Sequence, residues 1–112
     1  MTAIPLTLSV LPAGDAHEAL NLLDQCAFDL VITDINLPGI DGIELTEQLL
    51  AKSPNTAVIW ITAYGSYRMA REQLRTQIFT CLEKPIGIDE IREAALKALR
   101  KRDREVFGRT RH

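Results

Sequence analysis

Four apolar runs of strand length, each followed by a stretch with helical periodicity, predict an α/β protein with a parallel sheet, right-handed crossovers and helices on its faces. Two of these runs, residues 28–33 (FDLVIT) and 57–61 (AVIWI), are nearly continuous in apolar residues instead of alternating, the pattern of parallel strands covered on both faces. At 112 residues the chain has the size of one domain, and 46% hydrophobic with 25% charged residues is the balance of a globular protein that buries a core.

Taken in order, residues 4–11 form an apolar run ended by Pro12, Ala13 and Gly14, which predicts a short strand running into a turn. Asp15 stands where an N-cap belongs and Glu18 follows at capping-box spacing. Ala16, Ala19, Leu20, Leu23 and Cys26 then share one helical face. Residues 28–33 make the second strand, with Asp34 at its carboxyl end. Pro38, Gly39 and Gly42 break the next loop, and Ile43, Leu45, Leu49 and Leu50 mark a helix stopped by Ser53 and Pro54. Residues 57–61 are the third strand, closed by Thr62. Ser66 can cap a helix over residues 67–75 whose apolar content (Met69, Ala70, Leu74) is thin. Residues 78–82 make the fourth strand, ending at Glu83-Lys84-Pro85. Asp89 then caps a helix carrying Ile91, Ala94, Ala95, Ala98 and Leu99.

No apolar run approaches the roughly 20 residues that cross a bilayer, and no Lys or Arg precedes the apolar start as a secretory signal requires. The expected location is the cytoplasm. Cys26 and Cys81 lack metal-ligand spacing and sit in apolar surroundings, so both are read as buried thiols. The net charge of −2 is divided unevenly, −6 over residues 1–99 and +4 over residues 100–112. We read residues 1–104 as the domain and 105–112 as a basic tail or linker. Arg100, Lys101, Arg102, Arg104, Arg109 and Arg111 make the C-terminal end basic and could touch nucleic acid electrostatically, but no recognition module fits there, and direct nucleic-acid binding is not expected.

Asp34, Thr62 and Lys84 each follow a different apolar run, which gathers them at the carboxyl edge of a parallel sheet, where such sheets bind ligands. Singly, each has an ordinary explanation as a turn former, a strand terminator or a solvated end. Together they make a phosphoryl-transfer set: a carboxylate that can attack phosphorus, a hydroxyl that can hydrogen-bond a phosphoryl oxygen, and an ammonium that neutralises the charge gathering on it.

The segments ITDINLPGIDGIEL, WITAYGS and CLEKP resemble, at the expected separations, the motifs of the receiver domain of two-component response regulators, over about residues 6–99. The resemblance implies a flavodoxin-like (CheY-like) three-layer sandwich around a parallel sheet. It implies that Asp34 accepts a phosphoryl group from a histidine kinase, that Thr62 is the hydroxyl that reorients, and that Lys84 pairs with the phosphoryl group, followed by a cis bond to Pro85. Magnesium is the implied cofactor. Asp34 would bind it with the backbone carbonyl of Asn36, beside the loop of Pro38, Gly39, Asp41 and Gly42.

The chain departs from the family pattern at its start, where the usual first strand and first helix are lacking, and with them the acidic pair that completes the metal site. Magnesium leans on one or two carboxylates besides phosphate oxygens, so its binding is in question. The absent strand would lie between the first two present, and apolar sheet surface would be uncovered on the side where Ile91, Ala95 and Leu99 pack. Self-association is the expected result. Cys81 also stands where the family has an aromatic switch residue, and Gln77-Ile78 replaces Gly-Ala.

The leading expectation is a signalling receiver, a switch and not an enzyme, that passes its state to an output domain or protein. The alternative is a degenerate receiver that acts by dimerisation or docking without phosphate. A third possibility, a phosphohydrolase of the haloacid dehalogenase type, wants a second acid two residues after the nucleophile, where this chain has Asn36.

Overall fold

The computed structural model describes residues 10–35, 42–63 and 77–108, with side chains up to Glu105. In chain order the described elements are α1 (Ala16–Gln25), β1 (Leu30–Asp34), α2 (Gly42–Lys52), β2 (Ala57–Thr62), β3 (Thr80–Glu83) and α3 (Ile88–Gly108). The three strands form a parallel sheet in the order β1-β2-β3.

Strand pairing settles which residues share a face. Val31 opposes Val58 and Thr33 opposes Trp60, while Ile32 opposes Ile59 and Asp34 opposes Ile61. Because side chains alternate along a strand, Val31, Thr33, Val58 and Trp60 look to one side and Ile32, Ile59 and Ile61 to the other. The first side holds the core cluster of Ile35, Leu49, Val58 and Trp60, with Leu23 of α1 and Ile43 and Leu50 of α2 packed against it. On the second side α3 lies against β2 and β1 and buries Ala95 and Ala98. Helices on both faces give the three-layer α/β sandwich that the alternation of elements predicts.

The caps explain where α1 begins. Asp15 accepts a hydrogen bond from the Glu18 backbone N–H at 2.9 Å, and Glu18 reaches back to accept from the Gly14 N–H at 2.9 Å. The expected capping box is present, with its return bond one residue earlier than the cap itself. At the end of α2, Ser53 donates its backbone N–H to Leu49, and Pro54 follows in a turn.

Several expectations need correction. Asp89 lies inside the first turn of α3 and does not cap it; there its charge still favours the positive end of the helix dipole. Cys26 is exposed and Cys81 half-buried. Cys26 is the C-cap of α1 in extended conformation, which turns it off the apolar face its spacing suggested. The last strand begins at Thr80, two residues after the first residue of the apolar run, although Phe79 already donates its N–H to Val58 at 2.8 Å. β1 is less covered than a continuous apolar run implies, with Ile32 39% exposed on the α3 side. Among the described residues β1 pairs only with β2.

Of the run at residues 4–11, Val10 and Leu11 are outside any strand and exposed, and the remainder lies outside the described residues, as does the helix expected over 67–75. Among the described residues, no helix is long and apolar enough to cross a membrane.

Candidate functional site at the carboxyl edge of the sheet

The ends of β1, β2 and the segment after β3 are stitched together by the backbone. Ile35 donates its N–H to the Ile61 carbonyl at 3.0 Å, and Lys84 donates its N–H to the Thr62 carbonyl at 2.8 Å. These bonds fix the positions from which Asp34, Thr62 and Lys84 project. The Lys84 ammonium then donates to Asp34 Oδ2 at 2.5 Å, a charge-assisted bond between residues 50 apart in sequence. The lysine side chain is 52% exposed and the aspartate 28%. The Lys84-Pro85 bond is cis, as the sequence implied.

Thr62 is fully buried at the end of β2, and its hydroxyl donates to the Ala63 carbonyl at 3.0 Å. The structure therefore joins two of the three expected residues directly and sets the third on the adjacent strand end with its hydroxyl engaged locally. Asn36, Pro38, Gly39 and Asp41 lie outside the described residues.

A support behind Asp34 escaped the sequence reading. The N-terminus of α2 comes so close to β1 that a Cβ on Gly42 would stand 2.5 Å from the Asp34 carbonyl oxygen and 2.6 Å from Ile35 Cα. Gly42 also donates its N–H to the Ile35 carbonyl at 3.2 Å. Thr46, one turn on, donates its hydroxyl to the Gly42 carbonyl at 2.6 Å and accepts from Trp60 Nε1 at 2.9 Å. All three residues are buried. A chain of contacts thus runs from the centre of β2 through α2 to the backbone of the aspartate. Gly42 was legible as a loop breaker, but its close approach to β1 was not. The spacing of Trp60 and Thr46 carries no motif.

The aspartate carboxylate is held at a strand end beside a cation, an arrangement chemically suited to receiving a phosphoryl group. A magnesium ion is harder to place. Among the described residues no group of three or more His, Cys, Asp or Glu side chains could hold a metal. The described donors alone do not make up a magnesium site.

The family model of the response regulator receiver domain matches residues 5–96. The chain is 37% identical over 101 residues to the response regulator protein PilR of Pseudomonas aeruginosa, covering 90% of this chain and 23% of that protein. It is 38% identical over 87 residues to sporulation initiation phosphotransferase F of Bacillus subtilis, covering 78% of this chain and 70% of that one. Among solved structures, a receiver domain from Clostridium thermocellum superposes with a TM-score of 0.75 at 25% identity, over 83% of this chain and 75% of that one. NtrX from Brucella abortus superposes with a TM-score of 0.74 at 32% identity, over 84% and 22%. Such domains typically bind Mg2+ and partner with histidine kinases or phosphotransferases. They serve as signalling modules and not as catalysts. The matched span contains Asp34, Thr62 and Lys84, and the three-layer fold is shared, so the chain belongs to the response regulator receiver domain family.

Proposed function

We propose that this receiver takes a phosphoryl group on Asp34 from a histidine kinase in the cytoplasm and signals through the resulting change at the strand ends. The observation that carries the reading is the direct bond from Lys84 to Asp34 Oδ2. In the transfer, a carboxylate oxygen of Asp34 forms a bond to phosphorus as the bond from phosphorus to the donor's imidazole nitrogen breaks, the electron pair leaving with the imidazole. Lys84 is half-exposed and can follow the incoming phosphoryl oxygens. Thr62 would exchange its bond to the Ala63 carbonyl for one to a phosphoryl oxygen. The name of the Bacillus phosphotransferase supports phosphoryl transfer as the chemistry of this group of proteins.

Magnesium and the Asn36 carbonyl belong to the same proposal, with Asp34 as the ion's carboxylate ligand. We also keep 1–104 as the receiver and 105–112 as the tail or linker toward an output domain or protein. α3 continues without a break across that boundary to Gly108.

One observation favours the second reading, a degenerate receiver that acts by dimerisation or docking without phosphate. The backbones of Asp29 and Ile35 bond toward β2, so those of Leu30 and Ile32, offset by one, face the outer side of β1. Ile32 is exposed beside them. A second chain could cover that edge.

The test is the intact mass of the folded chain after treatment with acetyl phosphate, with and without magnesium, beside Asp34→Asn. The expected result is a phosphoryl adduct that requires the metal and is absent in the variant. A folded chain that takes up no phosphate, but sediments as a dimer, establishes the second reading instead.

A further inference from the structure

Two polar side chains lie in the core behind the aspartate, where apolar ones would fill the same space. Trp60 and Thr46 are both fully buried, so neither reaches water. An indole N–H only donates, so the Thr46 hydroxyl accepts from Trp60 Nε1 at 2.9 Å and gives its single hydrogen to the Gly42 carbonyl at 2.6 Å. The direction of this chain is thereby fixed. Threonine is an indifferent helix former, and a hydroxyl bonded to the carbonyl four residues back does not strengthen a helix. What Thr46 contributes in the middle of α2 is the junction it makes.

Four hydrogen bonds close the chain into a ring. Trp60 donates to Thr46 and Thr46 to Gly42; Gly42 donates its N–H to the Ile35 carbonyl, and Ile35 donates its N–H to the carbonyl of Ile61, the neighbour of Trp60. The ring joins β2, α2 and the end of β1. Asp34 lies against it: it precedes Ile35, stands opposite Ile61 in the register, and carries the oxygen that a Cβ on Gly42 would strike. That oxygen also accepts from the Thr33 hydroxyl at 3.1 Å, buried opposite Trp60 on the same face. The main chain of Asp34 is thus gripped from the core side, while its carboxylate meets Lys84 on the open side.

We propose that Thr46 and Trp60 are positioning residues for phosphoryl acceptance, setting through Gly42 the place and angle from which the Asp34 carboxylate meets phosphorus. The inference rests on the reading of Asp34 as the acceptor. Neither residue touches the reacting atoms. A fully satisfied buried polar network holds a core in one arrangement, and reactivity is steep in distance, a misplacement of about 1 Å costing up to roughly a hundredfold. Apolar side chains of the same shape would fill the core but would leave α2 free to settle differently against β1.

The experiment follows adduct formation on the full chain by intact mass, with magnesium, as a function of acetyl phosphate concentration. An Asp34 oxygen bonds to phosphorus as acetate leaves with the electron pair of the broken P–O bond. Thr46→Val keeps the shape and removes the hydroxyl, and Thr46→Ser puts it back. Val58→Ala, in the same core cluster with a side chain that makes no hydrogen bond, controls for lost stability. All are compared at a temperature where circular dichroism shows each chain folded. Expected for Thr46→Val is a roughly tenfold fall in the limiting rate at an unchanged half-saturating concentration, recovered in Thr46→Ser and absent in Val58→Ala. Trp60→Phe should slow uptake by less, since the bond from Thr46 to Gly42 remains. Amide hydrogen exchange reads the same grip without phosphate: the Ile35 and Gly42 N–H groups should exchange faster, relative to the other sheet amides, in Thr46→Val but not in Val58→Ala.

An unchanged limiting rate in Thr46→Val overturns the positioning role, as does an equal loss in Val58→Ala, a change confined to the half-saturating concentration, or unchanged exchange at both amides. A parent that takes up no phosphoryl group overturns the acceptor reading itself, and the role assigned to Thr46 and Trp60 falls with it.

Discussion

Both ends of β1 carry an aspartate held by a cation from the C-terminal third of the chain, yet the two pairs are built in opposite senses. At the carboxyl end, Asp34 is the sheltered partner, 28% exposed, and Lys84 is the open one at 52%. At the amino end, Arg102 is sheltered at 25% and its partner Asp29 is open at 66%. Arg102 also donates to the Asn55 carbonyl at 3.4 Å and to Asp103 at 3.2 Å, so its guanidinium is fixed among three acceptors on different segments. The lower pair clamps a cation and thereby ties α3 to the loops before β1 and β2. The upper pair sets a carboxylate in place and leaves the cation able to move. One is scaffold and the other is arranged for an incoming anion, although both read as simple ion pairs.

The largest way to break the upper end is through its backbone support. Gly42→Ala places a Cβ within 2.5 Å of a main-chain oxygen that cannot rotate away, so α2 must shift from β1. Overpacking of this kind costs about 1–3 kcal/mol, and urea denaturation should show it. Because the displaced groups are those of Asp34 and Ile35, the rate of phosphoryl uptake should fall with it. A variant as stable and as readily phosphorylated as the parent would show that the close approach is not needed.

Next in size is Thr46→Val, which keeps the shape and removes the hydroxyl between Trp60 and Gly42. The buried indole N–H then lacks its acceptor, at a cost of about 1–3 kcal/mol. Chemical denaturation measures the loss, and the tryptophan emission should report the altered surroundings of Trp60. The stability of the upper end is expected to suffer more from this change, deep in the core, than from any change to the exposed lysine.

How far these differences could be read from the sequence depends on whether a feature is local. The capping box of α1, the apolar runs of β1 and β2, and the stop at Ser53 and Pro54 depend on neighbours a few residues away, and each is legible. Asp34 and Lys84 were legible because residues at the carboxyl ends of parallel strands converge whatever lies between them. Contacts set by tertiary approach were not. Nothing in the pattern around Gly42 says that a helix will press against the carbonyl of Asp34. Arg102 was counted only among the basic residues of the C-terminal end, and only the packing of α3 across the sheet brings it to Asp29 and Asn55. Cys26 looked buried because its spacing continued a helical face past the residue where the helix ends. Ile32 looked buried because a continuous apolar run implies cover on both sides, and cover is a property of the neighbours.

Arg102→Ala sharpens the comparison at the lower end. The lost contacts join exposed and half-buried groups in solvent, so the expected loss is about 1 kcal/mol in thermal or urea unfolding. Phosphoryl uptake should be unchanged, because the pair lies a full strand length from Asp34. A slower uptake in this variant would mean that the two ends of β1 are coupled and that the lower pair is more than scaffold.

The smallest effect on stability is expected from Lys84→Ala, and its smallness is informative. The pair is short, but its cation is half in water, where an ion pair contributes about 0–1 kcal/mol and salt screens it. If Lys84 were a structural clamp like Arg102, its removal would lower stability by a similar or larger amount. If it is an anion partner held ready, the fold should barely register the loss, while uptake or retention of the phosphoryl group on Asp34 changes clearly. Measuring unfolding and phosphoryl uptake on Lys84→Ala and Arg102→Ala together separates the two roles: opposite patterns in the two variants uphold the distinction, and matching patterns abolish it.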